Sequence, residues 1–154
     1  MLDGRHLFEK WGAGTPVGVE ELRLRELLAF EERDVELPVV ILTSGFITQS
    51  IEFYFAPSPT EIRFFFPPDE TEPREFAPGD RVARYQYWRR YAEEAGFAYD
   101  GELEAVFEGA LGGRPGYVLV FDLAPDALAR VEESEELELV FEDATGRGRW
   151  YRKR

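Results

Sequence analysis

ELEAVFEGA at residues 102–110 and ELELVFEDA at residues 136–144 are the two stretches on which the predicted fold is built. Seven of their nine positions are identical. In both stretches apolar residues alternate with glutamates, a pattern typical of a half-buried antiparallel strand with one acidic face. We therefore predict a strand in each. A repeat architecture needs about three units to bury a continuous core, so we interpret the likeness as two strands meeting the same requirement, with duplication as the alternative.

Further strands are predicted between these stretches and upstream of them. Residues 117–121 read YVLVF and are apolar at every position, which indicates a strand covered on both faces. Apolar residues in strand-like patterns predict further strands at 35–42, 47–55 and 61–66. Because Pro38 lacks a backbone donor, the first of these strands is expected at a sheet edge or with Pro38 near its start.

Local cap signals predict two short helices. Asp80 is placed as an N-cap and Gly96 as a C-terminal cap, which predicts a helix at about 85–95. The residues just before it fit either the start of this helix or a strand that leads into it. Pro125 is tolerated in a first helical turn, so a second helix is predicted at about 125–131.

The C-terminal part of the chain, over residues 118–153, carries an ordered set of such signals. A predicted strand ends in FDL at residues 121–123, a short helix contains LA at 128–129, and the following strand ends in DATGR at 143–147. This pattern resembles the closing part of immunoglobulin-like β-sandwich domains of uncharacterised bacterial proteins. The resemblance implies a sandwich and brings with it no catalytic residue.

The predicted strands favour a mainly β protein, an antiparallel β-sandwich of the immunoglobulin-like kind with short helices at about 85–95 and 125–131. An α+β architecture is the alternative. At 154 residues the chain is expected to form one domain over residues 17–154, preceded by a lead-in segment at 1–16. Residues 17–33 fit both a helix and a strand, and that choice stays open.

The composition describes an acidic chain without cysteine, and its formal net charge is −13. The lack of cysteine excludes disulfides and thiolate metal sites. No residue is Asn and only two are Gln, a poverty in thermolabile side chains that points to a thermophilic bacterium or its virus. No apolar run is long enough to span a membrane and the start of the chain lacks the apolar stretch of a secretory signal, so a cytoplasmic location is expected.

The sequence offers little that could carry catalysis. His6 is the single histidine, and no phosphate-binding, dinucleotide-binding or nucleophile-elbow motif is present. We predict no catalytic residue, no cofactor and no metal site. The favoured function is a non-catalytic protein–protein interaction or assembly module. Phe64, Phe65 and Phe66 are the candidate apolar partner patch, because three consecutive rings require either cover on both faces of a strand or one exposed ring.

Binding of nucleic acid is the alternative function. Residues 84–91 and 147–154 each interleave arginines with aromatic rings, and the combination of stacking and phosphate attraction holds single strands without sequence preference. An acidic body opposes a polyanion unless both segments form one face. The candidate contact residues, for nucleic acid or for a protein partner, are Arg84, Trp88, Arg89, Arg90, Arg147, Arg149, Trp150 and Arg152.

Overall fold

The computed structural model of the protein describes residues 33–45, 58–142 and 148–154. Predictions for the lead-in segment, for nearly all of the ambiguous stretch after it, for the strand at 47–55 and for the DATGR turn fall outside these residues. Elements are numbered below in chain order within the described part of the chain.

In the described part of the chain, five strands form one open mixed sheet in the order β2-β1-β3-β5-β4. Strand β1 is parallel to both of its neighbours, whereas β5 is antiparallel to both β3 and β4. Pro38 immediately precedes β1, at the start of the strand, where its missing donor removes no ladder bond. The strands are β1 (Val39–Thr43), β2 (Thr60–Phe64), β3 (Gly116–Phe121), β4 (Leu137–Glu142) and β5 (Gly148–Lys153).

The helices are α1 (Arg81–Ala95), α2 (Leu103–Val106), which continues into a π-helical turn (Phe107–Leu111), and α3 (Pro125–Glu133). The predicted caps of α1 are confirmed. Asp80 accepts a hydrogen bond from the Ala83 amide, and Gly96 has the left-handed backbone that ends a helix. The helix predicted at 125–131 is also confirmed, with Pro125 in its first turn.

The central strands are buried on both faces of the sheet. All three helices pack on one face, where Val40, Leu42, Val118 and Val120 meet side chains from each helix. The opposite face holds a second apolar cluster, composed of Val39, Ile41, Tyr117, Leu119, Phe121 and Trp150.

The prediction of an antiparallel β-sandwich is wrong: the architecture is α+β, which was the alternative. The strand at 117–121 is indeed covered on both faces, as its unbroken apolar run indicated. The described helices cover one face of this strand, and the second apolar cluster lies on its other face, so both of its sides are buried. The sequence pattern does not by itself distinguish a second sheet from helices as the cover. The local order of strand, helix and hairpin in the C-terminal part is as expected, but it belongs to a single sheet.

The strand predicted at 102–110 is also wrong, because this stretch is helical. Leu103, Val106, Phe107 and Leu111 are buried at helical spacing, whereas Ala105 is exposed. The stretch at 136–144 does contain the predicted strand, which runs from Leu137 to Glu142. The two near-identical sequences therefore adopt different structures, which tertiary packing decides.

Gly116 opens β3 in a space that leaves no room for a side chain. An added Cβ would lie 2.7 Å from Leu111 Cδ2 and 3.0 Å from the Pro38 carbonyl oxygen. We expect Gly116→Ala to lower the free energy of unfolding by about 1–3 kcal/mol through overpacking. Urea titration monitored by circular dichroism measures this. Gly79→Ala is the matched control, because nothing lies within 4 Å of its Cβ, and a loss as large there would contradict the explanation.

Candidate partner-binding surface

The outer side of α1 carries a continuous series of rings, which we call the aromatic row: Phe76, Tyr87, Trp88, Tyr91 and Phe97. Successive ring centroids are 5.2, 5.4, 5.9 and 6.0 Å apart, so each ring touches the next. These separations fall within the range of favourable aromatic pairs. The row starts in the loop before α1, crosses the helix and ends just beyond its C-terminal cap.

Most of the aromatic row is exposed to solvent. The exposed fractions are 54% for Phe76, 42% for Tyr87, 43% for Tyr91 and 48% for Phe97, and Trp88 is half-buried. The helix buries mainly small residues, Ala83 and Ala92, together with Tyr85. Its bulkier rings therefore point outward, the reverse of an ordinary amphipathic helix. Contiguous exposed apolar surface of this kind marks interaction sites in folded proteins.

The arginines of α1 differ in what they contact. Arg84 Nη2 lies 3.0 Å from Asp122 Oδ1, and Arg89 Nε lies 3.5 Å from Glu93 Oε1. Arg90 is exposed on the same outer side as Tyr87 and Tyr91, and within the described residues it forms no ion pair. Of the predicted contact residues on α1, Arg90 is thus the cation most available to a partner.

Residues 67–79 form an irregular segment, without helix or strand, that packs against α1; we call it the strap. Gln86 holds it to the helix. The Gln86 amide nitrogen donates to Asp69 Oδ2 at 2.9 Å and to the Glu72 carbonyl at 3.2 Å, while its oxygen accepts from the Arg74 amide at 2.9 Å. Phe76, near the end of the strap, packs its ring against Tyr87.

Two carboxylates at the start of the strap and of α3 have pKa values shifted in opposite directions. Burial acts to raise the pKa of Asp69, but hydrogen bonds from Gln86 and Thr71 outweigh it, so the net pKa is lowered. The pKa of Asp126 is raised, first by burial and further by the nearby charge of Asp69. Ionised Asp126 is therefore unfavourable for the folded state.

Asp126→Asn is expected to stabilise the protein at neutral pH, because it removes a charge that the fold disfavours. A carboxyl whose folded pKa is raised contributes stability below its unfolded pKa of about 3.9 and loses it as pH rises through the folded value. The gain in melting temperature of the variant should therefore be present at pH 7 and vanish near pH 3. A gain of the same size at both pH values would show that charge is not its cause.

The carboxyl ends of β1 and β3 are tied together around Asp122. Its backbone is left-handed, with φ of 52°, and its carboxylate accepts from the Tyr85 hydroxyl at 2.6 Å. A Cβ at Gly45 would lie 2.9 Å from Asp122 Oδ2, so a larger residue there would require the Asp122 carboxylate to shift. Burial, and then the bond to Asp122, raise the pKa of Tyr85. Non-glycine residues with this backbone are uncommon and here the hydrogen bonds stabilise it.

The other predicted contact residues are mostly engaged elsewhere. Arg149 lies 2.8 Å from Glu132, and Trp150 is fully buried in the sheet. Arg152 is exposed on β5, and Arg147 lies outside the described residues. On β5 the side chains alternate between the two faces of the sheet, so Arg149 and Arg152 point to opposite sides. The side chains of residues 148–154 are therefore divided between the two faces of the sheet.

The predicted apolar patch is largely buried. Phe65 is fully buried and Phe66 is 3% exposed, with its ring 5.5 Å from that of Tyr99 in an edge-on arrangement. Phe64 is half-buried in β2. Of the two alternatives for three consecutive rings, cover on both sides describes this site better than an exposed ring.

Sequence reasoning missed Phe76 and Phe97 as surface residues and named Trp88 as a candidate contact residue. A usable signal was present: Tyr87 and Tyr91 stand four positions apart, and such a pair shares one side of a helix. Their side could not be assigned to solvent from the pattern, because large aromatic residues normally lie in the core.

A groove of about 560 Å³ lies between the start of α2 and the end of α3. Charged residues that line it are Glu102, Glu104, Arg130, Glu133, Glu135 and Glu136. Within residues 33–45, 58–142 and 148–154, no group of three or more acidic or histidine side chains is placed to hold a metal ion. The helices of this described part are all too short or too polar to cross a membrane.

Comparisons of the chain with protein-family models, with curated proteins and with solved structures found no match.

Proposed function

We propose that this domain is a non-catalytic protein-interaction module that binds its partner through the aromatic row of α1. The observation that carries the proposal is the contact of five adjoining rings, four of them between 42% and 54% exposed. Burying such rings against a partner removes a large apolar area from water, at about 25 cal/mol per Å².

The chemistry of the surface fits a protein partner. Tyrosine, tryptophan and arginine are the residue types enriched among those that dominate binding energy at interfaces. Tyr87, Trp88, Arg90 and Tyr91 supply all three types on about one turn of helix. Aromatic side chains offer a large contact area with few rotatable bonds, so the entropic cost of ordering them is small.

Nucleic-acid binding is the second candidate, and the observation that favours it is the position of Arg90 beside Tyr87 and Tyr91. A single strand could stack on these rings while its phosphates approach the guanidinium. The net charge of −13 and the buried ring of Trp150 weigh against it. Binding of a labelled oligonucleotide that falls steeply between 50 and 200 mM salt would support this candidate over a protein partner.

Site-specific photo-crosslinking tests the protein-partner proposal. A benzophenone amino acid is placed at Tyr91, in the cells that naturally produce the protein, and products are resolved by mass. Leu139 on β4 is the control position, because it has a similar exposure of 47% and lies on a different element.

We expect a discrete protein adduct from position 91, which is absent from position 139 and disappears when Tyr87 is also replaced by alanine. A crosslink to a second copy of the chain would identify self-association as the interaction. Equal labelling from the two positions, or no adduct from position 91, would contradict the proposal.

A further inference from the structure

The strap shows what kind of chain segment the surface of α1 accepts. Four of its thirteen residues are acidic, four are proline and one is aromatic, in the sequence PPDETEPREFAPG. It has no helix or strand, and its residues from 68 to 79 are exposed except for Asp69, which is half-buried. Segments of twelve or more residues without secondary structure are uncommon in compact domains and are usually functional when present.

Gln86 contacts mainly the backbone of the strap, which curls around its amide group. That amide group donates to the Glu72 carbonyl and accepts from the Arg74 amide, and both are main-chain groups that any peptide offers. Arg89 adds a bond from Nη1 to the Pro67 carbonyl at 3.5 Å. Prolines restrict the backbone of such a segment and so lower the entropic cost of ordering it.

Side chains of the strap add chemical selectivity to this backbone contact. The Asp69 carboxylate accepts from Gln86, and the Phe76 ring packs on Tyr87 at the start of the aromatic row. An acidic segment lies here although the whole chain is acidic. Of the nearby charges, Arg89 attracts the Asp69 carboxylate and Asp126 repels it, and at physiological salt such interactions act over about 8 Å.

We infer that α1 binds an acidic, proline-containing peptide of a partner in the place now held by the strap, with an aromatic residue of that peptide in the position of Phe76 beside Tyr87, and that the strap is its intramolecular competitor. This inference rests on the proposed function and names the chemistry of the partner. A tethered competitor acts at an effective concentration in the millimolar range, so the free peptide binds the unaltered protein weakly. Loosening the strap removes this competition and raises the apparent affinity.

The probe is a fluorescein-labelled synthetic peptide with the sequence of residues 67–79, followed by fluorescence anisotropy. Two substitutions in the strap, Asp69→Ala and Phe76→Ala, loosen it without changing the helix. We expect this strap variant to bind the peptide at least tenfold more tightly than the unaltered protein. A further Gln86→Ala substitution should then weaken binding at least fivefold, whereas Arg152→Ala on β5 should leave it unchanged.

The decisive result is that the strap substitutions raise the affinity for the peptide whereas the helix substitution lowers it, because non-specific adhesion does not produce opposite effects. A peptide with its acidic residues replaced by their amides should bind at least fivefold more weakly. Equal binding of that neutral peptide, no gain in the strap variant, or no loss on Gln86→Ala would each overturn the inference. If one of these results is obtained but the crosslink from position 91 is still observed, the proposed function stands and only the peptide inference fails. If the crosslink is also absent, both the inference and the proposed function fail.

Discussion

Replacing Trp150 with alanine is expected to lower the free energy of unfolding by about 3–5 kcal/mol, the range for deleting a large aromatic side chain from a core. The side chain is fully buried. Its ring meets that of Tyr117 edge-on at 5.9 Å, and the Arg33 guanidinium carbon lies 5.5 Å from its centre. On the neighbouring strands it stands opposite Leu119 and Phe141.

Guanidinium chloride denaturation followed by circular dichroism measures this loss. Total stabilities of domains are about 5–15 kcal/mol, so the alanine variant could be too unstable to purify. Trp150→Phe keeps most of the ring volume and should cost less than Trp150→Ala. If Trp150→Ala folds with unchanged stability and instead loses binding to a partner or an oligonucleotide, the residue belongs to a contact surface and not to the core.

The second large effect is expected at Asp122, where alanine should cost about 2–5 kcal/mol. The variant leaves the buried Tyr85 hydroxyl without its acceptor, at about 1–3 kcal/mol. It also places a side chain that favours other backbone conformations at φ of 52°, at about 1–2 kcal/mol. The bond from Arg84 is lost as well, but it is partly exposed and adds little.

Two further variants separate these causes. Asp122→Asn tolerates the left-handed backbone and keeps an acceptor for Tyr85, so it should be the least damaging. Asp122→Gly relieves the backbone strain but keeps none of the side-chain hydrogen bonds, and it should lie between Asn and Ala. Thermal unfolding ranks the three. An order in which alanine is milder than asparagine would show that the hydrogen bonds do not hold this turn.

Elements that are specified locally could be predicted from the sequence. Asp80 and Gly96 predict the helix α1, because a capping residue acts on its own helix and needs no distant partner. Pro125 likewise marks the start of α3. The burial of β3 could be predicted because its residues are apolar without exception.

Features that depend on contacts between distant residues could not be predicted from the sequence. Val39 pairs with Tyr117, although β2, α1 and α2 lie between them in the chain. Neither strand has a local sequence pattern that specifies the other as its partner. The stretch at 102–110 satisfies both strand and helix periodicity, and packing under the sheet selects the helix. The pairing of distant strands and the choice of helix at 102–110 both depend on tertiary contacts, which local patterns do not specify.

The candidate surface was predictable in part. Interleaved arginines and rings drew attention to α1, where Arg90 and Trp88 do lie at the row of exposed rings. The same pattern in 147–154 includes a tryptophan of the core. Trp88 and Trp150 have similar sequence surroundings, so only the positions of their elements in the fold tell a surface ring from a buried one.

The placement of β1 between β2 and β3 has a consequence for how the chain folds. The hairpin of β4 and β5 joins neighbours in sequence and has a low entropic cost of closure, so it can form early. Strand β1 gains its pairing with β3 only when the long intervening chain has been ordered. We therefore expect the centre of this sheet, its most deeply buried part, to be the last to be completed, with folding slower than for a helical bundle of equal length.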